Sequence, residues 1–251
     1  MRGTEVDHGA EHGSLVLLRH GQSTANAEGL FTGILDPALS ARGAAEARTA
    51  AELIRAAGLL PHTVFVSPLQ RASQTAAIVA DVLTLPPNRV DVDWRLTERN
   101  YGALTGRHKD DVRAEFGERQ FLVWRRSVDT APPPLDDARA DAFARSDLFS
   151  GLPAQALTRT ESLRDVMQRV DSFHTERVLP QLRAGRTVLV VAHGNSLRAY
   201  CAVLEQLDKN AIHALNLPTG HPLVYQDGGR RYLDPSRAEA ASLALALDGG
   251  T

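Results

Sequence analysis

The chain has 251 residues, with 28 Lys and Arg against 30 Asp and Glu for a formal net charge of −2, and one cysteine, Cys201. That length fits one α/β domain or two small ones; the near-neutral charge provides no global field for nucleic acid or a membrane surface, and one thiol excludes an intrachain disulfide and any multi-thiolate metal site. No apolar run approaches the ~18 residues of a transmembrane helix, and Met1 to Gly13 lacks the apolar segment of a signal peptide, so a cytoplasmic location is expected.

Residues 1–13 read as a disordered lead-in. Leu15 to Leu18 is a run of large apolar residues, the signature of a buried strand, and it stops at Arg19-His20-Gly21. Residues 23–37 are loop, with Gly29, Gly33 and Asp36-Pro37 as turn formers. Within it Phe31-Thr32-Gly33 is either an ordinary turn or a hydroxyl and backbone N–H offered to an anion. Ser40 caps an alanine-rich helix that runs to about Ala57 and closes at Gly58, with Leu53 and Ile54 as its core contacts. Val64 to Val66 is a short strand, and Ser67-Pro68 starts the next helix with a cap and an N1 proline. Arg71 falls in the first turn, where the helix dipole disfavours a cation, which points toward a ligand role.

Val90 to Trp94 alternates like a strand with one buried face. A polar cluster, Thr97-Glu98-Arg99-Asn100-Tyr101-Gly102, follows. After Lys109 come two short helical segments ending at Trp124-Arg125-Arg126, with Phe121 and Trp124 as the buried stripe and at least one arginine turned to solvent or ligand. Residues 127–157 form a proline-marked excursion, expected to be a lid or a disordered insert. Thr160-Glu161 opens an amphipathic helix with Leu163, Val166, Met167, Val170 and Phe173 on one face, ending near Pro180. Thr187 to Ala192 is a second buried-strand run, and it stops at His193-Gly194-Asn195-Ser196. From Ser196 a helix reaches about Gln206 and buries Leu197, Tyr200, Cys201 and Leu204. Residues 217–220 are a turn, Asp227-Gly228-Gly229 a hairpin signal, and 235–251 a flexible or weakly helical tail. Strands alternating with helices imply one α/β domain with a largely parallel sheet over 14–234.

Open α/β sheets place ligands at the carboxyl edge of their strands. If the two strands are parallel neighbours, His20 and His193 meet over one crevice, and with Arg19 they suit a phosphorylated ligand. Phosphoryl transfer through histidine requires an unprotonated nitrogen, cations on the phosphoryl oxygens, and an acid or base for the leaving oxygen. His20 is the candidate nucleophile, Arg19 and Arg71 the candidate oxygen clamps, and His193 a further hydrogen-bond donor. Gly194 and Asn195 offer backbone N–H groups. Glu98 is the candidate proton donor, since a carboxyl in a closed, partly apolar site can be held protonated; on the residues alone, an ion pair with Arg99 or a neighbouring arginine is an equal alternative.

Arg19 to Ser23, Asn26, Phe31 to Gly33, Arg71, Glu98-Arg99, Tyr101 to Leu104, Lys109, Trp124 to Arg126, Pro132 to Pro134, His193 to Arg198 and Leu217 to Gly220 together resemble the histidine phosphatase superfamily, and within it the cofactor-dependent phosphoglycerate mutase branch. The resemblance runs from about Leu15 to Leu233 and departs from the branch's pattern at Gln22, Ala25, Thr97, Asn100, about 135–153 and in the tail. It implies a three-layer α/β/α domain and interconversion of 2- and 3-phosphoglycerate through a phosphohistidine at His20, primed by 2,3-bisphosphoglycerate without a metal. It further implies that Arg99, Tyr101, Lys109, Arg125, Arg126 and Asn195 bind the substrate's carboxylate and second phosphate, and that Ser23, Asn26, Thr32 and Gly33 line the same pocket. The expected partner is a small phosphorylated substrate, with no nucleic acid or membrane, and the expected assembly a homodimer or homotetramer. The competing expectations are a histidine-dependent phosphatase acting on a small phosphate ester and a catalytically retired homologue that binds phosphorylated ligands.

Overall fold

The computed structural model describes residues 13–247, so the lead-in expected at 1–12 and the glycine end of the tail lie outside the described residues. Two apolar runs form the centre of the sheet. Strand β1 (Leu15–Arg19) is followed by the single-turn α1 (Thr24–Ala27) and by α2 (Ala41–Ala56). Then come β2 (Thr63–Val66), α3 (Gln70–Val82), β3 (Val90–Val92), α4 (Lys109–Arg126), α5 (Asp137–Ala144), α6 (Leu163–Phe173), α7 (Leu179–Arg183) and β4 (Val188–Ala192). Helices α8 (Gly194–Glu205) and α9 (Lys209–Ala214), strands β5 (Leu223–Gln226) and β6 (Gly229–Tyr232), and α10 (Pro235–Leu247) complete the described chain.

The six strands lie in the order β3-β2-β4-β1-β5-β6. Strands β3, β2, β4 and β1 are parallel, and the β5–β6 hairpin adds an antiparallel edge beside β1. The hairpin turns at Asp227 and Gly228, both at positive φ (52° and 72°), the backbone that a tight two-residue turn demands. In the pairing of β1 with β4, Leu15 faces Val188 and Arg19 faces Ala192. His20 and His193 therefore leave the sheet side by side at its carboxyl edge.

Side chains alternate across the sheet. Val16, Leu18, Val64, Val66, Leu189 and Val191 pack against α2 and α3, whereas Leu15, Leu17, Phe65, Val188 and Val190 pack against α6 and α8. This is the three-layer arrangement expected. Ser40 caps α2 by accepting the Gly43 N–H at 3.0 Å. Ala47, Ala50, Ala51 and Ile54 are fully buried while Leu53 is only half-buried, so small residues rather than Leu53 make the packing of α2.

Several expectations are corrected. Helix α3 begins at Gln70, with Leu69 at its N-cap and no side-chain cap, and Ser67 instead accepts the Leu69 N–H at 3.3 Å in the turn before it. Strand β3 is an edge strand without a buried face: Val92 is 56% exposed, and the buried position is the following Asp93, paired with Arg95. Helix α4 does consist of two segments, broken at Gly117 (φ 79°); Arg125 and Arg126 are both buried from solvent, and Arg125 lines the cavity beside His20. The excursion 127–157 carries α5 and packs down, with Val128, Leu135 and Phe149 buried and Arg139 bonded to the Thr105 carbonyl at 2.7 Å, rather than standing as a disordered insert. Ser162, not Thr160 or Glu161, caps α6 and forms a capping box with Asp165. Beyond α6 a π-turn over His174–Val178 carries the chain through Pro180 into α7. Helix α8 starts two residues earlier than Ser196, and His193 is its N-cap.

The N-terminus of α2 presses against the chain just after His20. A Cβ on Gly21 would lie 2.1 Å from the Gly43 carbonyl oxygen, and one on Gly43 would lie 2.1 Å from the Gln22 carbonyl oxygen. Both contacts are with backbone, which cannot swing aside. Gly43→Ala is accordingly expected to lower unfolding free energy by about 1–3 kcal/mol, the cost of overpacking, measured by urea denaturation; a loss below about 0.5 kcal/mol, as for an ordinary surface substitution, would contradict this contact.

Candidate active site

The register of β1 on β4 brings the imidazoles of His20 and His193 edge to face, ring centroids 4.9 Å apart and planes at 62°. The His20 backbone N–H donates to the Ala192 carbonyl at 3.0 Å, extending the ladder by one residue. The His20 ring is buried, and its Nδ1 lies 2.6 Å from the Gly21 carbonyl oxygen. A carbonyl only accepts, so Nδ1 carries the proton. On the other side, Arg71 Nε–H donates to Nε2 at 3.2 Å, which identifies the lone-pair nitrogen. Burial, and next the Arg71 and Arg19 cations, hold the His20 pKa well below its ordinary value. The ring is thus a neutral base with one aimed lone pair.

Arg71 is fixed by two more bonds, to the Leu35 carbonyl at 2.7 Å and the Gly33 carbonyl at 2.9 Å. Burial brings its guanidinium pKa down to about 10, which leaves it charged at neutral pH. Arg19 donates to the Leu217 carbonyl at 2.8 Å, and its Nε is buried without a hydrogen-bond partner. The Gly21 N–H donates to Thr75 Oγ1 at 3.1 Å, and Thr75 donates to the Arg71 carbonyl at 2.8 Å, so α3 holds the turn after His20 as well as its lone pair.

Glu98 accepts the Arg99 backbone N–H at 2.8 Å and the Asn195 backbone N–H at 3.2 Å. The alternative of an ion pair with Arg99 is therefore not what the structure shows. The Arg99 guanidinium turns to the carbonyls of Glu161 at 2.7 Å and Thr130 at 3.1 Å. The N-terminus of α8, expected to offer Gly194 and Asn195 N–H groups to a ligand, holds the Glu98 carboxylate through Asn195. The loop carrying Glu98 is pinned from behind: Glu161 accepts the Asn100 N–H at 2.9 Å and is ion-paired with buried Arg169 at 3.0 Å. Asn100 bonds the Thr158 carbonyl at 2.7 Å. Asn195 also donates to the Tyr101 hydroxyl at 2.9 Å.

A solvent-open cleft reaches the His20 ring. Of the residues expected to form the site, Arg19, His20, Asn26, Thr32, Gly33, Arg71, Glu98, Tyr101, Lys109, Arg125, Gly194 and Asn195 line it, together with Leu30, Phe31 and Leu245. Among the described residues its lining carries four cationic side chains and one carboxylate. Helix α4 supplies Lys109 from its first residue and Arg125 from its last turn.

Four expected residues are placed otherwise. His193 lies against His20 rather than on the cavity wall. Ser23 is buried as the cap of α1, bonded to Asn26 Oδ1 at 2.9 Å. Arg99 stands behind Tyr101, and Arg126 reaches the His213 and Leu215 carbonyls and Asn216 Oδ1, bracing α9. Sequence reasoning missed Ser67, whose hydroxyl is 2.8 Å from His193 Nε2, along with Thr75 and Leu245. The signal for Ser67 was available: it follows the third parallel strand end at the same edge. Leu245, on the tail helix, carried none. Among the described residues no group of three or more His, Cys, Asp or Glu could hold a metal, and no helix is long and apolar enough to cross a membrane.

Comparison with known proteins agrees with this geometry. The family model for the histidine phosphatase superfamily (branch 1) matches residues 15–151 and 136–232. The chain is 46% identical over 244 residues to a 2,3-bisphosphoglycerate-dependent phosphoglycerate mutase of Thermobifida fusca, covering 94% of this chain and 99% of that protein. It is 43% identical over 248 residues to the protein of the same name from Corynebacterium diphtheriae, covering 94% and 98%. Among solved structures, a mycobacterial glucosyl-3-phosphoglycerate phosphatase complexed with VO3 superposes with a TM-score of 0.65 at 27% identity, covering 88% of this chain and 96% of that one. Strand-end histidines, cation-lined cavity and full-length matches converge: the chain belongs to the histidine phosphatase superfamily, branch 1.

Proposed function

We propose that this protein is a 2,3-bisphosphoglycerate-dependent phosphoglycerate mutase, interconverting 2- and 3-phosphoglycerate through a phosphohistidine at His20. The observation that carries the proposal is the cavity's excess of cations beyond what one phosphoryl group needs. Arg19 and Arg71 flank the nucleophile, while Lys109 and Arg125 arrive from the two ends of α4. A phosphatase needs one anion pocket and admits water; a mutase must hold a bisphosphorylated intermediate while it reorients, which calls for a second cationic group. The names of the relatives most similar in sequence support the same choice.

The residues present fit the priming compound, 2,3-bisphosphoglycerate: a positive cavity with an orphaned donor at Arg19 Nε suits a polyanion. When bound, it supplies the phosphoryl group that loads the histidine. His20 Nε2 directs its lone pair at phosphorus, Arg19 and Arg71 hold the equatorial oxygens, and Glu98 exchanges the proton with the sugar-acid oxygen. His193, packed edge to face on His20, steadies the ring that carries the phosphoryl group, and Asn26, Thr32, Gly33, Tyr101, Gly194 and Asn195 shape the pocket. The cytoplasmic location, the small-molecule partner and the homodimeric or homotetrameric assembly belong to this proposal as expectations. A phosphatase is the second reading, favoured by the glucosyl-3-phosphoglycerate phosphatase among the solved structures similar in fold.

Assaying 3-phosphoglycerate with and without 2,3-bisphosphoglycerate separates the two. Isomerisation that depends on priming and far outruns release of inorganic phosphate is expected; prompt phosphate release with negligible isomerisation would replace the mutase by the phosphatase.

The two buried imidazoles also predict the acid response. Their pKa values lie well below the ordinary 6.5, from burial first and then from the neighbouring Arg71. As pH falls through about 6.5, the unfolded chain takes up protons that the folded one refuses, so stability falls by up to about 1.4 kcal/mol per pH unit for each ring. Urea unfolding at pH 7.5, 6.0 and 5.0 should show a shallower decline for a His20→Asn, His193→Asn double variant than for the parent. Equal slopes would mean that neither ring is held neutral.

A further inference from the structure

The three central parallel strand ends place three residues in a row. Ser67 N–H donates to the Val191 carbonyl at 3.2 Å, as His20 N–H donates to Ala192, so Ser67, His193 and His20 follow β2, β4 and β1 at neighbouring positions of the same edge. Ser67 is fully buried, and its Oγ lies 2.8 Å from His193 Nε2. We propose that Ser67 is a positioning residue for His193, its hydroxyl fixing which imidazole nitrogen bears the proton and how the ring meets His20.

The protonation follows from the surroundings of the ring. His193 is the N-cap of α8, and its side chain turns to the Ser196 N–H while the Ser196 hydroxyl accepts the His193 N–H at 3.0 Å. The positive end of a helix and an N–H donor disfavour a proton on the nitrogen that faces them. The Nδ1 lone pair therefore faces the helix, and Nε2 carries the proton and donates it to Ser67 Oγ. The approach of Nδ1 to the helix falls short of a formed hydrogen bond. The Ser67 contact is thus the hydrogen bond that locks the ring among the described residues. Ser67 itself is held by the Leu69 N–H at 3.3 Å, at the threshold of the helix that carries Arg71. One connection, from Ser67 to Thr75, consequently orients both imidazoles.

The inference rests on His20 and His193 serving one phosphoryl group, which a mutase and a phosphatase require alike. It is tested first in the ligand-free protein, where no activity is needed. Imidazole 1H–15N NMR should find His193 in the Nε2–H form alone, and in Ser67→Ala as a mixture of both forms. Loss of an orienting hydrogen bond should slow His20 phosphorylation by 2,3-bisphosphoglycerate and kcat by about tenfold or more, with KM within about threefold; Ser67→Thr, which keeps the hydroxyl, should restore both. Where Ser67→Ala lowers Tm, Ser67→Cys, close in shape but a weak acceptor, carries the same expectation. An unchanged His193 form with a rate within about twofold of the parent would overturn the proposal. A shifted form in a chain that never phosphorylates His20 would uphold the positioning and reject the proposed reaction instead.

Discussion

Everything at this site depends on the pairing of β1 with β4. A one-residue slip in that register would send each side chain to the layer its neighbour now fills, and it would also separate two rings that now stand 4.9 Å apart. The register is held by residues with no chemistry of their own: Leu15 to Leu18 and Val188 to Val191, buried on both faces between helix layers. Hydrophobic burial thus supplies the positioning, and the strand ends, where the ladder stops, supply the polar groups. Close approach of the next layer completes the arrangement, since Gly21 and Gly43 bring α2 against the turn that fixes the His20 tautomer.

Such a site is costly at rest. Two imidazoles are stripped of water and held neutral, and among the described residues four cations and one carboxylate line the cavity. Buried like charges repel, and their desolvation is not recovered inside the protein. Much of the compensation comes from backbone carbonyls: Arg71 rests on Leu35 and Gly33, and Arg19 on Leu217. Carbonyl dipoles steady a guanidinium without neutralising it. The positive charge of Arg71 and Arg19 therefore persists beside His20, on side chains already oriented.

Periodicity and strand-end polarity made the core of the site legible in the sequence. His20, His193, Arg19 and Arg71 each sit where a local rule puts them, at a strand end or in a first helical turn. The sheet, the caps at Ser40 and the hairpin at Asp227-Gly228 were legible for the same reason. What failed was long-range. Arg99 and Arg126 belong to a cationic cluster in the sequence, but they are turned to carbonyls that only the tertiary fold supplies, from Glu161 and Thr130 in one case and His213 and Leu215 in the other. The segment 127–157 looked loose because it is rich in proline and small residues; it is ordered by contacts at Thr105 and Arg159 that periodicity does not encode. Ser67 was given to a helix cap, the local use of a serine before proline, whereas its neighbour across the sheet claimed its hydroxyl.

The most direct measurement is the site and chemistry of the phosphoryl group after the protein is mixed with 2,3-bisphosphoglycerate. A single acid-labile, alkali-stable phosphoryl group mapped by mass spectrometry to His20, with 31P NMR placing it on Nε2, is the outcome required by a ring whose Nδ1 is committed to the Gly21 carbonyl. A phosphoryl group on His193, on a serine, or on His20 Nδ1 would contradict the account.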